Sequence, residues 1–297
     1  MPFIYSPNYY ADIGIHVFPI IKYREVYDKL RRELKLDASH FLTPQPATPE
    51  ELRLVHTPEY LRDLQTCSWT RRTASSELPI SKEIIQMFTL ATGGTILTAR
   101  TAATHGWAVH LNGGFHHAFA DKAEGFCYFN DLAVAAKVMQ RNGLAEKISI
   151  IDCDLHQGNG TAVIFQGDDS VFTFSIHQRD LYPIKEESDL DIHLPVGVSD
   201  EEYMNHLEFA IPKILKEFQP DLVLYQAGAD PYQHDQLGSL HLTLDGLKHR
   251  DEFVFTECKK RWVPVAATLG GGYAYHTEDT VQIHFNTCKT ALETFNH

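Results

Sequence analysis

"KISIIDCDLHQGNG", residues 147–160, opens as an unbroken apolar run and closes on a glycine-bounded turn. The run has the length of a strand and does not alternate, the mark of a strand covered on both faces. Its end carries Asp152, Asp154 and His156 at alternate positions, where burial is costly unless something positive offsets the charge. Four further runs of the same kind are "WAVHL" (107–111), "VFTFSIH" (171–177), "DLVLYQAG" (221–228) and "VPVAATLGG" (263–271). Helical patterns fall at 81–104, 129–142, 200–217, 243–258 and 276–293. Strands alternating with helices predict an α/β fold with a mainly parallel central sheet and helices on both faces. In the N-terminal third, "YREVYDKLRRELKL" (23–36) and "PEELRLVHTPEYLRDL" (49–64) read as two amphipathic helices, the second with Pro49 in its first turn. No repeat, low-complexity tract or flexible linker interrupts the pattern, so residues 1–297 read as one domain. Open α/β sheets gather ligands at the carboxyl ends of their strands. Every polar cluster described next follows such a run.

Composition narrows the function. A formal charge of −13 argues against direct nucleic-acid binding, which wants a basic face, and is compatible with cationic substrates. No apolar stretch approaches the roughly eighteen residues of a membrane span. The opening "MPFIYSPNYYADIG" lacks the basic-then-apolar pattern of a signal peptide. The five cysteines (67, 127, 153, 258, 288) are odd in number and include no CxxC pair, which suits reduced thiols in the cytoplasm.

Asp154 and His156 form a compact oxygen-plus-nitrogen pair, and Asp230, closing "LVLYQAGAD", places another carboxylate directly after a buried strand. Two carboxylates and one imidazole leave a tetrahedral Zn²⁺ one open position for water, the form of a catalytic site; Fe²⁺ suits the same ligands. Taken singly, either aspartate reads as a helix cap and His156 as an ordinary loop histidine. Their joint occurrence favours the metal.

"NGGFHHAFAD" (112–121) sets His116 and His117 side by side after a strand, where adjacent imidazoles with different partners can divide the taking and giving of protons. Asp152 and Asn159 are the candidate partners: a carboxylate favours the imidazolium, an amide orients the ring without adding charge. "TLGGGYAYH" (268–276) brings Tyr273 after three glycines, placed to donate to an oxyanion or simply to pack on the core. Phe126, in "GFCYFND", either lines a narrow apolar passage or belongs to the core.

Together, "GGFHHA", "GFCYFND", "DCDLHQGNG", "GAD" followed by "DQLGSLHLT", and "LGGGY" resemble the histone deacetylase superfamily with its arginase-like α/β fold. The likeness extends to "EELRLVHTPEYL" and so covers most of the chain. "HQGNG", "GGTI" (93–96) and "GLKHRDEFVF" (246–255) look closest to the class IV branch, with bacterial deacetylase-like amidohydrolases as near neighbours. The resemblance implies a zinc-dependent enzyme that removes acyl groups from acylated lysine, with Zn²⁺ on Asp154, His156 and Asp230. It implies His117 as general base, His116 as its electrostatic or acid partner oriented by Asp152, and Tyr273 holding the oxyanion. It also implies an acyl-lysine tunnel between Phe126 and Tyr182, with Leu237 nearby and the Gly125 carbonyl at the substrate amide. A monovalent cation, usually potassium, is implied on backbone oxygens around Asp152, Asp154 and His156 plus Ser175.

The chain departs from the pattern in three places. Asn159 partners the second histidine where some branches use a carboxylate, which lowers the charge on His117. Tyr182 stands where other branches carry Phe. "SWTRRTASSELPIS" (68–81) offers no clear counterpart to the rim loop of class I enzymes. Two rival activities share most of these features, an acetylpolyamine amidohydrolase and a non-catalytic acyl-lysine-binding module. A two-metal ureohydrolase needs a further aspartate of the DxHxD kind, and Gly158 stands there instead.

Overall fold

The continuous apolar runs become strands that are buried along all or nearly all of their length. The computed structural model describes residues 2–296. In chain order the elements are β1 (Phe3–Ile4), α1 (Lys22–Glu33), a 3₁₀ turn (Ala38–His40), β2 (Phe41–Leu42), α2 (Pro49–Leu52), α3 (Pro58–Gln65), α4 (Arg71–Ala74), α5 (Lys82–His105) and β3 (Trp107–His110). They continue as α6 (Asp131–Arg141), β4 (Ile148–Asp152), α7 (Asn159–Phe165), β5 (Val171–Gln178), β6 (Leu190–Leu194), α8 (Asp200–Glu217), β7 (Leu222–Gln226), α9 (Leu244–Lys260), β8 (Val265–Thr268) and α10 (Thr277–Asn296).

The eight strands form one sheet in the order β2-β1-β3-β8-β7-β4-β5-β6, and every pairing is parallel. The expected parallel α/β fold is therefore observed. Two packed groups of helices cover the sheet, α5 with α6 and α7, and α1 with α10, α9 and α8. From β3 the chain crosses to β4, and β7 and β8 later fill the gap between them. That crossing puts the ends of β3, β8, β7 and β4 side by side, the arrangement in which α/β sheets bind ligands.

The register across these ends is informative. His110 pairs with Thr268, Thr268 with Gln226, Gln226 with Asp152, Asp152 with Ser175, and Ser175 with Asp191. A single transverse row of polar residues thus caps the apolar sheet. Its inner members satisfy one another and the loops above: Thr268 Oγ1 donates to Gln226 Oε1 at 2.7 Å, and Gln226 Nε2 donates to the Gly114 carbonyl at 2.7 Å.

Several elements differ from the sequence reading. The helix expected over 49–64 is two short ones, α2 and α3, because Pro58 cannot donate into a continuing helix and Thr57 instead caps a new one, accepting from Tyr60 N. The edge strand β6 is half-exposed and shows no apolar run, and β1 and β2 have only two residues each. Helix α7 starts inside the polar turn, at Asn159. No helix among the described residues is long and apolar enough to cross a membrane.

Candidate active site

The loop after β3 is fixed from below by the start of α6. Asp131 accepts from Gly114 N at 2.9 Å and from Phe115 N at 2.6 Å, and also from Thr95 Oγ1. Asn130 caps α6 through Ala133 N while its amide donates to the carbonyls of His116 (3.3 Å) and Ala118 (3.0 Å). Two adjacent residues thereby hold the backbone on which both histidines sit, and each satisfied buried hydrogen bond of this kind contributes about 1 kcal/mol.

The two rings have the different partners expected of them. His116 Nδ1 lies 2.6 Å from Asp152 Oδ2, and His117 Nδ1 lies 2.8 Å from Asn159 Oδ1. Their Nε2 atoms are 3.1 Å apart. Burial works against charge on His116, but Asp152 and Asp154 outweigh it and raise its pKa to about 9. Burial, reinforced by His116 and His156, pushes His117 well below the ordinary histidine range, so its ring is neutral.

Beyond β4 the backbone folds tightly around its own carboxylates: Asp152 Oδ1 accepts from Asp154 N, and Asp154 Oδ1 from His156 N, both at 3.0 Å. Asp230 reaches in from the end of β7, and its Oδ1 accepts from Leu155 N at 3.0 Å. His156 Nδ1 sits 3.3 Å from Asp154 Oδ1 and 3.2 Å from Asp230 Oδ2. Donor atoms of Asp154, His156 and Asp230 all lie within 4.8 Å of one another, and this is the one such cluster of His, Cys, Asp or Glu among the described residues. Burial disfavours both negative charges. Asp154 is nonetheless held below the carboxylate range by His116 and His156, whereas Asp230 is pushed up by burial and then by the Asp154 charge.

Two carboxylates and an imidazole converging in a buried space are the donor set a divalent transition metal takes. The nearby cation Lys22 is engaged elsewhere, donating to the Gly270 carbonyl at 2.8 Å. Gly271 completes the fit: a Cβ there would run into Asp230 and come within 2.7 Å of Asp154 Oδ2. Its own N–H donates to Asp154 Oδ2 at 3.1 Å.

Tyr273 is buried on the opposite wall, its backbone N–H held by Asp235 Oδ2 at 2.7 Å. Burial, followed by the Asp230 and Asp154 charges, raises its phenol well above the ordinary range and keeps it a donor. Phe126 lies 5.8 Å from the Tyr273 ring, with His16 (4.7 Å) and Phe18 (6.3 Å, parallel) around it. Tyr182 is 43% exposed and faces His117 at 5.4 Å, outside the lining of the cavity these residues form. A cavity of about 30 Å³ runs between Phe18, Tyr23, Phe115, Phe126 and Tyr273 and touches His116, His117, Asp154, His156 and Gly125. Leu237 is half-buried and outside the lining of this cavity; its N–H bonds to Asp235. Ser175 is the register neighbour of Asp152, and its hydroxyl bonds to His177 Nδ1 at 2.9 Å.

The structure thus draws together His116, His117, Asp152, Asn159, Asp154, His156, Asp230 and Tyr273, residues spread over 158 positions of sequence from 116 to 273. Sequence reasoning missed Lys22, Asp131, Asp235 and Arg250. Asp235 was visible only as part of "DQLGSLHLT", and Arg250 only as one charge among several in a helix.

Comparison with known proteins follows the same lines. Residues 16–288 match the model of the histone deacetylase domain. The chain is 41% identical to an uncharacterized protein of Picosynechococcus sp. over 95% of each. It is 30% identical to histone deacetylase 2 of Arabidopsis thaliana, over 91% of this chain and 74% of that one. The crystal structure of an HDAC homolog from Aquifex aeolicus superposes with a TM-score of 0.84 at 26% identity, covering 98% of this chain and 83% of that one.

Proposed function

The chain belongs to the histone deacetylase family, and on that premise we propose that it is a metal-dependent deacylase acting on acylated lysine, with residues 1–297 working as one catalytic domain. The observation that carries this reading is the convergence of Asp154, His156 and Asp230 beside two differently partnered histidines, with Asp154, His156 and both histidines lining one cavity. A divalent ion held by those three residues, Zn²⁺ or Fe²⁺, would supply Lewis acidity and lower the pKa of water.

The other parts are this chain's own side chains. His117 is neutral and has its Nδ1 tied to Asn159, so Nε2 is the proton acceptor. His116, held by Asp152, carries the positive charge and hands a proton to the leaving amine. The Tyr273 phenol donates to the oxyanion as the carbonyl becomes tetrahedral. Phe126 and Tyr182 flank the entering lysine stem, with the Gly125 carbonyl at the amide and Leu237 at the rim. Asp152, Asp154, His156 and Ser175 form the corner assigned to a monovalent cation such as potassium.

All five cysteines are free, and four are buried, in keeping with a cytoplasmic location. The test is hydrolysis of lysine peptides of increasing acyl length, and of acetylpolyamines, by zinc-loaded protein. Turnover of acetyl-lysine peptide that is abolished by a chelator and restored by Zn²⁺ is expected. Binding of acyl peptide without turnover at full metal occupancy refutes the proposal.

A further inference from the structure

Glu124 has no part in the reading above. It opens a tight turn whose backbone bonds to Cys127 in both directions, Glu124 N to Cys127 O at 3.2 Å and Cys127 N to Glu124 O at 2.9 Å. Gly125 and Phe126 at the tip both have positive φ, 48° and 63°. A side-chain Cβ at Gly125 would lie 2.6 Å from His117 Cδ2, so the turn is pressed against that ring and Glu124 has little freedom to wander. Its carboxylate meets the Tyr182 hydroxyl and two nitrogen donors. Asn159 Nδ2 reaches Oε1 at 2.7 Å, and Lys122 Nζ reaches Oε2 at 2.6 Å.

The bond to Asn159 has a consequence two residues away in the chain of contacts. An amide has one accepting and one donating end, and a carboxylate can only accept. Glu124 therefore draws Nδ2 toward itself and leaves Oδ1 facing His117 Nδ1 at 2.8 Å. Oδ1 can only accept in turn, so the ring proton of His117 is placed on Nδ1 and the lone pair on Nε2. His116 also has its Nδ1–H held, by a carboxylate in direct contact, Asp152 at 2.6 Å, which keeps that ring charged. For His117 the carboxylate lies one amide farther out.

We propose that Glu124 is a positioning residue of the deacylation reaction: through Asn159 it fixes the tautomer of His117 and so keeps the lone pair on Nε2, the atom that accepts the proton. This rests on the role given to His117 under the proposed function.

The experiment uses zinc-loaded Glu124→Ala and Glu124→Gln proteins, each also in an Asn159→Ala background. Ring ¹⁵N shifts of His117 report the tautomer, and kcat and KM on an acetyl-lysine peptide report its use. The wild type should show the Nδ1–H form alone. Glu124→Ala should show a mixture of tautomers and lose about 10-fold or more in kcat with KM within about twofold, the scale of outer-shell losses. Glu124→Gln keeps an accepting oxygen and should recover the single tautomer and most of kcat. In the Asn159→Ala background, Glu124→Ala should change nothing further. An unchanged single tautomer in Glu124→Ala, a loss in Glu124→Gln equal to that in Glu124→Ala, or an effect confined to KM would overturn the relay. Should the wild type fail to hydrolyse any acyl substrate, the proposed function falls, and the ¹⁵N shifts still decide whether Glu124 sets the tautomer.

Discussion

Arg250 is fully buried on α9 behind the two strand tips that present the aspartates. Its Nη1 donates to the Gly228 carbonyl at 2.6 Å and to the Cys153 carbonyl at 3.2 Å, and its Nε donates to Asp251 Oδ1 at 2.9 Å. Cys153 immediately precedes Asp154, and Gly228 lies two residues before Asp230. One guanidinium therefore sets the spacing between the β4 and β7 ends. Replacing it with Met removes these bonds and leaves Asp251 buried, with only the Tyr225 and Thr287 hydroxyls to hold it. Breaking a buried charged pair in this way costs about 3–5 kcal/mol. At about 2 °C per kcal/mol for a chain of this size, Arg250→Met should melt roughly 6–10 °C below wild type. Loss of the clamp should also weaken zinc binding by roughly 10- to 100-fold. Arg250→Lys keeps a charge but cannot span both carbonyls, so it should regain part of the stability and little of the metal affinity. Thermal melts and competition with a chromophoric chelator measure the two effects separately. A melting point within about 1 °C of wild type with unchanged zinc affinity would refute the clamp, since that outcome sits far below the loss expected for an unpaired buried charge.

Three other outcomes are expected. Tyr273→Phe and His117→Ala should each lower kcat by about 100-fold or more while still binding zinc, measured by steady-state kinetics and metal analysis; near-normal turnover in both would refute their roles. Gly271→Ala should reduce zinc affinity by more than about tenfold, because the added methyl intrudes on Asp154 and Asp230; calorimetric titration with unaltered affinity would contradict this. Burial lowers the pKa of His56 to about 4, against an unfolded value of about 6.5. A depressed folded value means its stability contribution is complete above the unfolded pKa and is lost as pH falls from about 6.5 through about 4, about 3 kcal/mol in all. Wild type should therefore lose stability in that window more steeply than His56→Gln; parallel denaturation profiles of the two proteins would count against it.

The fold was legible where burial leaves a compositional trace. Strands covered on both faces must be apolar throughout, and β3, β4, β5, β7 and β8 were visible for that reason. β6 is an edge strand with one wet face, and β1 and β2 are too short to carry a pattern. The break between α2 and α3 was hidden because Leu52, Tyr60 and Leu64 keep a helical spacing across it and all reach the core. In the site, Asp154 and Asp230 stood out as carboxylates at the ends of apolar runs, and the two histidines as neighbours. Asp131, Glu124, Lys22 and Arg250 gave no such signal. Each acts through a contact set by the fold, as Lys22 does with Gly270, 248 residues away.

The polar row that runs His110, Thr268, Gln226, Asp152, Ser175, Asp191 marks one height on every strand from β3 to β6. It works as a waterline for anyone altering this protein. Changes beneath it fall on the supporting hull and should show first in expression yield, while changes above it should leave a sturdy but inert molecule. An inactive version that keeps its shape, suited to trapping whatever the living enzyme releases, is therefore best sought among positions just above that line.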